Sequence, residues 1–200
     1  MKLIGLTGGI ATGKSTVSQL ILGRGLEVID ADDLAKEVVV PNSFGLRALV
    51  QVFGKGILQK TGELDRTALR KKIFEEPQAR LVVEAITHPL IQWRAKQEIE
   101  RLRQKQVAFA FYDASLIFEK NLVDQFDHIL VVHTTQDVQL QRLITRDKIS
   151  KDSALKALGA QWPVEKKMNL AHFLIDNNGT PEKTKEQVED LLKKLREFGA

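Results

Sequence analysis

Cysteine is absent from the 200 residues, which excludes a disulfide scaffold and any thiolate metal site and fits a reducing compartment. Long apolar runs are missing too. The stretch after Lys2 is interrupted by glycines and ends at Lys14, so neither a signal peptide nor a membrane span is credible, and a cytoplasmic chain is expected. Nor does one sign of charge dominate: 30 Lys and Arg face 26 Asp and Glu, for a net charge of +4 spread along the chain. That balance does not require nucleic-acid binding and suits an anionic small substrate equally well. There is no internal repeat and no low-complexity linker. With 43% hydrophobic residues, one domain with a substantial core is expected.

What the chain does contain is GGIATGKST, Gly8 to Thr16, after the apolar run Leu3-Ile4-Gly5-Leu6 and before the helical pattern Val17, Leu20, Ile21. That order is strand, glycine-rich turn, helix. The frame GxxxxGKS lets the backbone of Gly8, Gly9, Ala11, Thr12 and Gly13 curl around an anion, with N–H groups and the positive helix end aimed at the same phosphates. Lys14 adds a full charge near the β and γ phosphates, and Ser15 offers a hydroxyl to Mg²⁺. Thr16 is the further contact, to the α phosphate. A bare glycine turn at a helix start would need none of these residues at this spacing.

Short apolar runs then alternate with amphipathic stretches, the pattern of an α/β fold with a five-stranded parallel sheet wrapped by helices. Strands are expected at Leu3 to Thr7, Leu26 to Ile29, Val107 to Tyr112, Ile129 to Val132 and Phe173 to Ile175. Between the second and third lies a helical block, about 43–105, with Leu69, Ile73, Leu81, Val82, Ala85 and Ile99 at helical intervals. It is far longer than a crossover helix, and is expected to be a substrate-binding insertion on a core of about 1–42, 106–141 and 168–200. The last helix should start at Thr180-Pro181, with Val188, Leu191, Leu192 and Leu195 as a core stripe.

In VIDADDLAKEVV an apolar strand runs into Asp30, Asp32 and Asp33. A carboxylate at such a strand end faces the crevice of an open sheet, which makes Asp30 and Asp32 candidates on the acceptor side and Asp32 the candidate base. Asp33 is better suited to capping a helix over Leu34 to Val39. Asp113, at the end of the third strand, is a candidate outer-sphere carboxylate for Mg²⁺.

Taken in order, LTGGIATGKST, VIDADDLAKEVV, GELDRTALRKKIF (Gly62 to Phe74), THPLI (Thr87 to Ile91), LIFE (Leu116 to Glu119), QLQRLITRD (Gln139 to Asp147) and IDNNG (Ile175 to Gly179) resemble the dephospho-coenzyme A kinase family over almost the whole chain. The phosphate loop alone is common to many kinases; DAD after the second strand together with LDR, HPLI and IDNNG is specific. The resemblance implies that ATP phosphorylates the ribose 3′-hydroxyl of dephospho-coenzyme A.

Other residues take their roles beside that resemblance. Arg66 and Arg70 stand four apart on one helical face; alone they are a solvated face, and the resemblance implies that they hold the acceptor's pyrophosphate. His88 precedes Pro89, which favours extended backbone and is expected to end a helix. By default it is structural, and the resemblance implies a role on the substrate side. The stretch 142–167 is expected to be a lid, with Arg142 and Arg146 brought over the transferring group to neutralise its charge and water excluded on closure. Arg146 has a rival partner in Asp147. Asn177, in IDNNG, is a candidate contact to adenine, although Asn-Gly also suits a turn. Three positions depart from the family pattern: Ser115 where Pro is usual, His133 where an acid is common, and His172 where Asp is usual.

Two rival readings differ from this one, another small-molecule kinase of the same broad class and a GTPase switch of a different class. A nucleoside monophosphate kinase would differ only in its acceptor pocket. A GTPase switch would carry an NKxD motif, which does not occur, and a DxxG closing the third strand, where Asp113 is followed three places later by Leu116.

Overall fold

Strand β1 (Lys2–Gly8) is buried from its second residue onward, as an apolar run must be when both faces of a parallel sheet are covered. In this computed structural model, which describes residues 1–198, β1 is central in a five-stranded parallel sheet of order β2-β3-β1-β4-β5. The other strands are β2 (Glu27–Asp30), β3 (Phe109–Asp113), β4 (His128–His133) and β5 (Phe173–Asp176). All five expected strands are present, each within two residues of its expected bounds. Leu6 pairs with Asp113 on one side of β1, and Gly8 with Val132 on the other. The carboxyl ends of three strands therefore open together at the point where the strand order reverses, the usual place for a ligand crevice.

Period-two alternation assigns β4 to two cores. Leu130 and Val132 join Ile4, Leu6 and Phe111 under helices α1 (Lys14–Leu22) and α9 (Pro181–Phe198). Ile129 and Val131 face the opposite side, with Ile117 and Phe118. The stripe Val188, Leu191, Leu192 and Leu195 is buried in the first core, as its spacing predicts, and Thr180 Oγ1 accepts from Lys183 N–H at the start of α9.

The chain divides into two compact units: Met1–Ile29 with the chain from Leu102 onward, and Asp30–Arg101. The second holds α2 (Ala31–Glu37), α3 (Phe44–Phe53), a 3₁₀ turn at Lys55–Ile57, α4 (Arg66–Glu75) and most of α5 (Pro77–Gln104). Its own core comprises Val39, Leu46, Leu49, Ile57, Leu64 and Leu69.

Three local expectations are corrected here. Helix α5 does not end at His88 but runs through Pro89. Proline removes one N–H, so the cost falls on one bond in a helix of 28 residues, and Thr87 Oγ1 donates to Val83 O at 2.8 Å in the turn beside it. Leu81, expected on the apolar face, is exposed. Helix α2 begins at Ala31 instead of Leu34, and its cap is Asp30: Oδ1 accepts from the N–H groups of Asp32 at 2.7 Å and Asp33 at 3.2 Å. Asp33 instead pairs with Lys36 at 2.6 Å, one turn on. The residue that ends the strand already has extended backbone, which the cap position requires.

In the first unit, α6 (Gln136–Asp147), α7 (Lys151–Gly159) and α8 (Val164–Met168) occupy the stretch around the expected lid. Among the described residues no helix is long and apolar enough to cross a membrane.

Candidate active site

Between β1 and α1 the turn is made with left-handed backbone at Ala11 (φ 60°) and Gly13 (φ 88°). Gly13 occupies the cap position of α1 and carries no side chain, so the first N–H groups of the helix are left open to an anion. Gly8 is required by close approach, since a Cβ there would meet Val132 O at 2.5 Å and Thr12 Oγ1 at 2.7 Å. The buried Thr12 side chain donates to Gly9 O at 2.9 Å and braces the turn from inside.

A cavity of about 860 Å³ opens over this turn. Its lining brings Gly9, Ala11, Thr12, Gly13, Lys14 and Ser15 together with Arg142 and Arg146 of α6, 130 residues further along the chain. Lys14 Nζ forms an ion pair with Asp113, the buried last residue of β3. A carboxylate that close to the ammonium holds it in place over the turn and partly offsets its charge. Arg142 donates from Nη2 to Asn177 O at 2.9 Å and from Nη1 to Thr12 O at 3.4 Å. Its guanidinium is thereby fixed at the cavity wall. Arg146 is more exposed and makes a two-pronged contact with Asp147, at 2.7 and 3.0 Å. Those bonds hold the Arg146 proton more firmly than usual and keep the Asp147 carboxyl below its ordinary range.

Asn177 stands beside the turn in a role different from the one expected. Its Nδ2 donates to Thr12 O at 2.8 Å, and its Oδ1 accepts from Thr184 Oγ1 at 2.8 Å. The side chain is buried, with both ends occupied, so it ties the phosphate loop to α9 and has no end turned to a base. Thr16 is exposed at the first turn of α1.

The acceptor-side candidates belong to the helical unit. Asp32 is exposed, two residues past the Asp30 cap. Arg66 opens α4 directly after its cap Asp65, with Arg70 one turn on, and both are exposed. His88 is half-buried in the middle of α5.

Several residues at the site were given no role by the sequence, although Gln139 and Glu119 lie in the QLQRLITRD and LIFE stretches. Gln139 Nε2 donates to Ile10 O at 2.7 Å, and Gln161 Oε1 accepts from Ile10 N–H at 2.8 Å. Behind them, Lys167 Nζ lies 2.7 Å from Glu119 Oε1. A glutamine on an amphipathic helix, another in a bend and a lysine in a charged stretch look like surface, and only the packed structure shows them turned inward. At the positions that depart from the family pattern, Ser115 O accepts from Thr7 Oγ1 at 3.2 Å, His133 O from Asn177 N–H at 2.9 Å, and His172 Nδ1 from Ile129 N–H at 3.0 Å.

A parallel sheet with β1 at its centre, a glycine-rich turn feeding a helix N-terminus, and a lysine and two arginines around one cavity define a P-loop kinase. Among solved structures, a shikimate kinase from Acinetobacter baumannii shares the fold, with 16% identity and a TM-score of 0.53 over 99% of this chain and 94% of that one. The dephospho-CoA kinase family model matches residues 2–183. A dephospho-CoA kinase from Geobacter sulfurreducens is 44% identical over 191 residues, 96% of this chain and 97% of the relative. The solved dephospho-CoA kinase from Campylobacter jejuni is 26% identical with a TM-score of 0.77, covering 99% and 98% of the two chains. The chain belongs to the dephospho-CoA kinase family.

Proposed function

We propose that this protein transfers the γ-phosphoryl group of ATP to the 3′-hydroxyl of the ribose in dephospho-CoA, giving CoA and ADP. The observation that carries this is the convergence of Lys14, Ser15, Arg142 and Arg146 on one cavity at the carboxyl end of β1, in a chain of this family.

Little covalent chemistry is asked of the protein in such a transfer; it positions the reactants and neutralises charge. The N–H groups from Gly13 to Thr16 hold the donor phosphates at the helix N-terminus. Lys14, kept in place by Asp113, meets the charge at the transferred end. Arg142 and Arg146 spread the charge that develops on the equatorial oxygens. The Ser15 hydroxyl, with the Asp113 carboxylate in an outer sphere, would hold the magnesium of a magnesium-bound triphosphate, and the ion would supply charge that neutralises the phosphates. Asp32 is the proposed base that orients the acceptor hydroxyl and takes its proton. Arg66, Arg70 and His88 are the proposed contacts to the rest of the acceptor, with Asp30 fixing the backbone before Asp32. The segment 142–167 is the proposed lid, and the cytoplasm the proposed compartment, in keeping with the lack of cysteine.

Incubation with Mg²⁺-ATP, with and without dephospho-CoA, tests this directly. ADP release that depends on the acceptor, with a product heavier by one phosphate, is expected. Release that responds instead to a nucleoside monophosphate, or to no acceptor, overturns the assignment.

A further inference from the structure

Ile10 sits midway along the glycine-rich turn, and both of its backbone polar groups are held by glutamines from the same unit. Gln139, buried on α6, donates to the carbonyl, and Gln161, between α7 and α8, accepts from the N–H. An N–H can be met only by an acceptor, so this bond sets the Gln161 amide: Oε1 is on the turn, and Nε2 with its two hydrogens is on the other side. Gln161 lines the same cavity as Lys14, Ser15, Arg142 and Arg146. Among the described residues, its Nε2 donates to no partner.

The backbone that carries Gln161 is anchored from below. Glu119 Oε1 accepts from the N–H of the adjacent Trp162 at 2.9 Å and from Lys167 Nζ at 2.7 Å. Lys167 has no exposed surface and also reaches Ser115 O at 3.4 Å. A buried ammonium is tolerated only where it is paired and hydrogen-bonded, so α8 is held to the end of the LIFE stretch at this one position. Lys166 Nζ lies 3.5 Å over the Trp162 ring and tightens the same corner. Gln161, near the end of the proposed lid, is therefore braced on both sides, by Ile10 and through the adjacent Trp162 by Glu119.

We propose that Gln161 is a phosphate-contacting residue, its Nε2 donating to phosphoryl oxygens of the donor nucleotide while its Oε1 stays on Ile10. This rests on the ATP-dependent transfer described above. Three cations already surround the cavity, and an amide adds a directed N–H donor without competing for the Asp113 carboxylate that holds Lys14.

Two variants separate contact from mere support. Gln161→Glu keeps the length and the acceptor for Ile10 N–H but turns a carboxylate oxygen to the phosphates. Gln161→Met keeps the bulk and loses both polar ends. Gln161→Glu is expected to weaken binding of a non-hydrolysable ATP analogue at least on the order of tenfold and to lower kcat on the order of 10²-fold. Gln161→Met should lower kcat about tenfold, with KM for dephospho-CoA unchanged in both variants and ligand-free melting temperatures within about 2 °C of the parent. If Gln161→Glu matches the parent in analogue binding and kcat while Gln161→Met is impaired, the side chain only braces Ile10 and the proposal is overturned. Analogue binding does not involve the acceptor. A parent chain that makes no CoA would thus defeat the functional reading, while the binding series still decides the role of Gln161.

Discussion

Lys14 Nζ is ion-paired with Asp113, so the phosphate-loop lysine is tethered to the carboxyl end of the neighbouring strand β3. The side chain of Asp113 is 2% exposed and that of Lys14 16%. Charge so poorly screened acts strongly on a phosphate brought beside it. Lys14→Met should lower turnover on the order of 10²-fold or more and weaken triphosphate binding, read by steady-state kinetics and calorimetric titration. Turnover within threefold of the parent would remove Lys14 from the transfer step.

Asp30 and Asp32 are two residues apart but do different work. Asp30→Ala removes the cap of α2 and should cost about 1 kcal/mol in chemical denaturation. Asp32→Asn keeps that cap, so stability should hold while turnover falls on the order of 10² to 10⁴-fold and ATP affinity changes little. Near-normal turnover of Asp32→Asn would transfer the base role to another group.

Arg142 and Arg146 should separate by their partners. Arg142 holds two backbone carbonyls as well as lining the cavity, so Arg142→Met should lower both turnover, by about 10³-fold, and thermal stability. Arg146 contacts only the exposed Asp147 among the described residues, and Arg146→Ala should lower turnover about tenfold without moving the melting temperature. Equal turnover of Arg146→Ala and the parent would leave Arg142 alone in the role.

Stability should fall on mild acidification because of His128. Burial, and secondarily the nearby His172 ring 5.2 Å away, push His128 below its ordinary value of 6.5, and its Nδ1 is buried with no hydrogen-bond partner. The unfolded chain therefore binds more protons than the folded one as pH drops through 6.5, so stability is lost in that direction and regained as pH rises. Urea midpoints at about pH 7 and pH 5 should differ more for the parent than for His128→Leu. Asp127 acts with the same sign in a lower window. Burial alone would raise it, but the Leu3 N–H and Lys2 outweigh burial and hold it below 3.8, so its contribution disappears only in stronger acid. Equal pH slopes for parent and variant would exclude His128.

Much of this protein can be read along the chain because its determinants are local. The turn GGIATGKST needs glycine at fixed spacing, its strand and helix follow from apolar period, and the Val188 to Leu195 stripe follows from helical spacing; all three are present in the structure. The strand ends were legible for the same reason. Local cues failed where a distant element outweighed them. Pro89 did not stop α5, and Asp30, not Asp33, capped α2. Asn177 looked available to a ligand until Thr12 and Thr184 were brought to it from 165 residues before and seven after. Gln139, Gln161, Glu119 and Lys167 are polar residues that sequence reasoning assigns to the surface, because only folding creates the donors and acceptors that make their burial tolerable. The sequence by itself therefore determined the phosphate loop, the sheet and the family. The tertiary structure decided which polar side chains turn inward to hold that loop, since the partners that stabilise them lie far away along the chain.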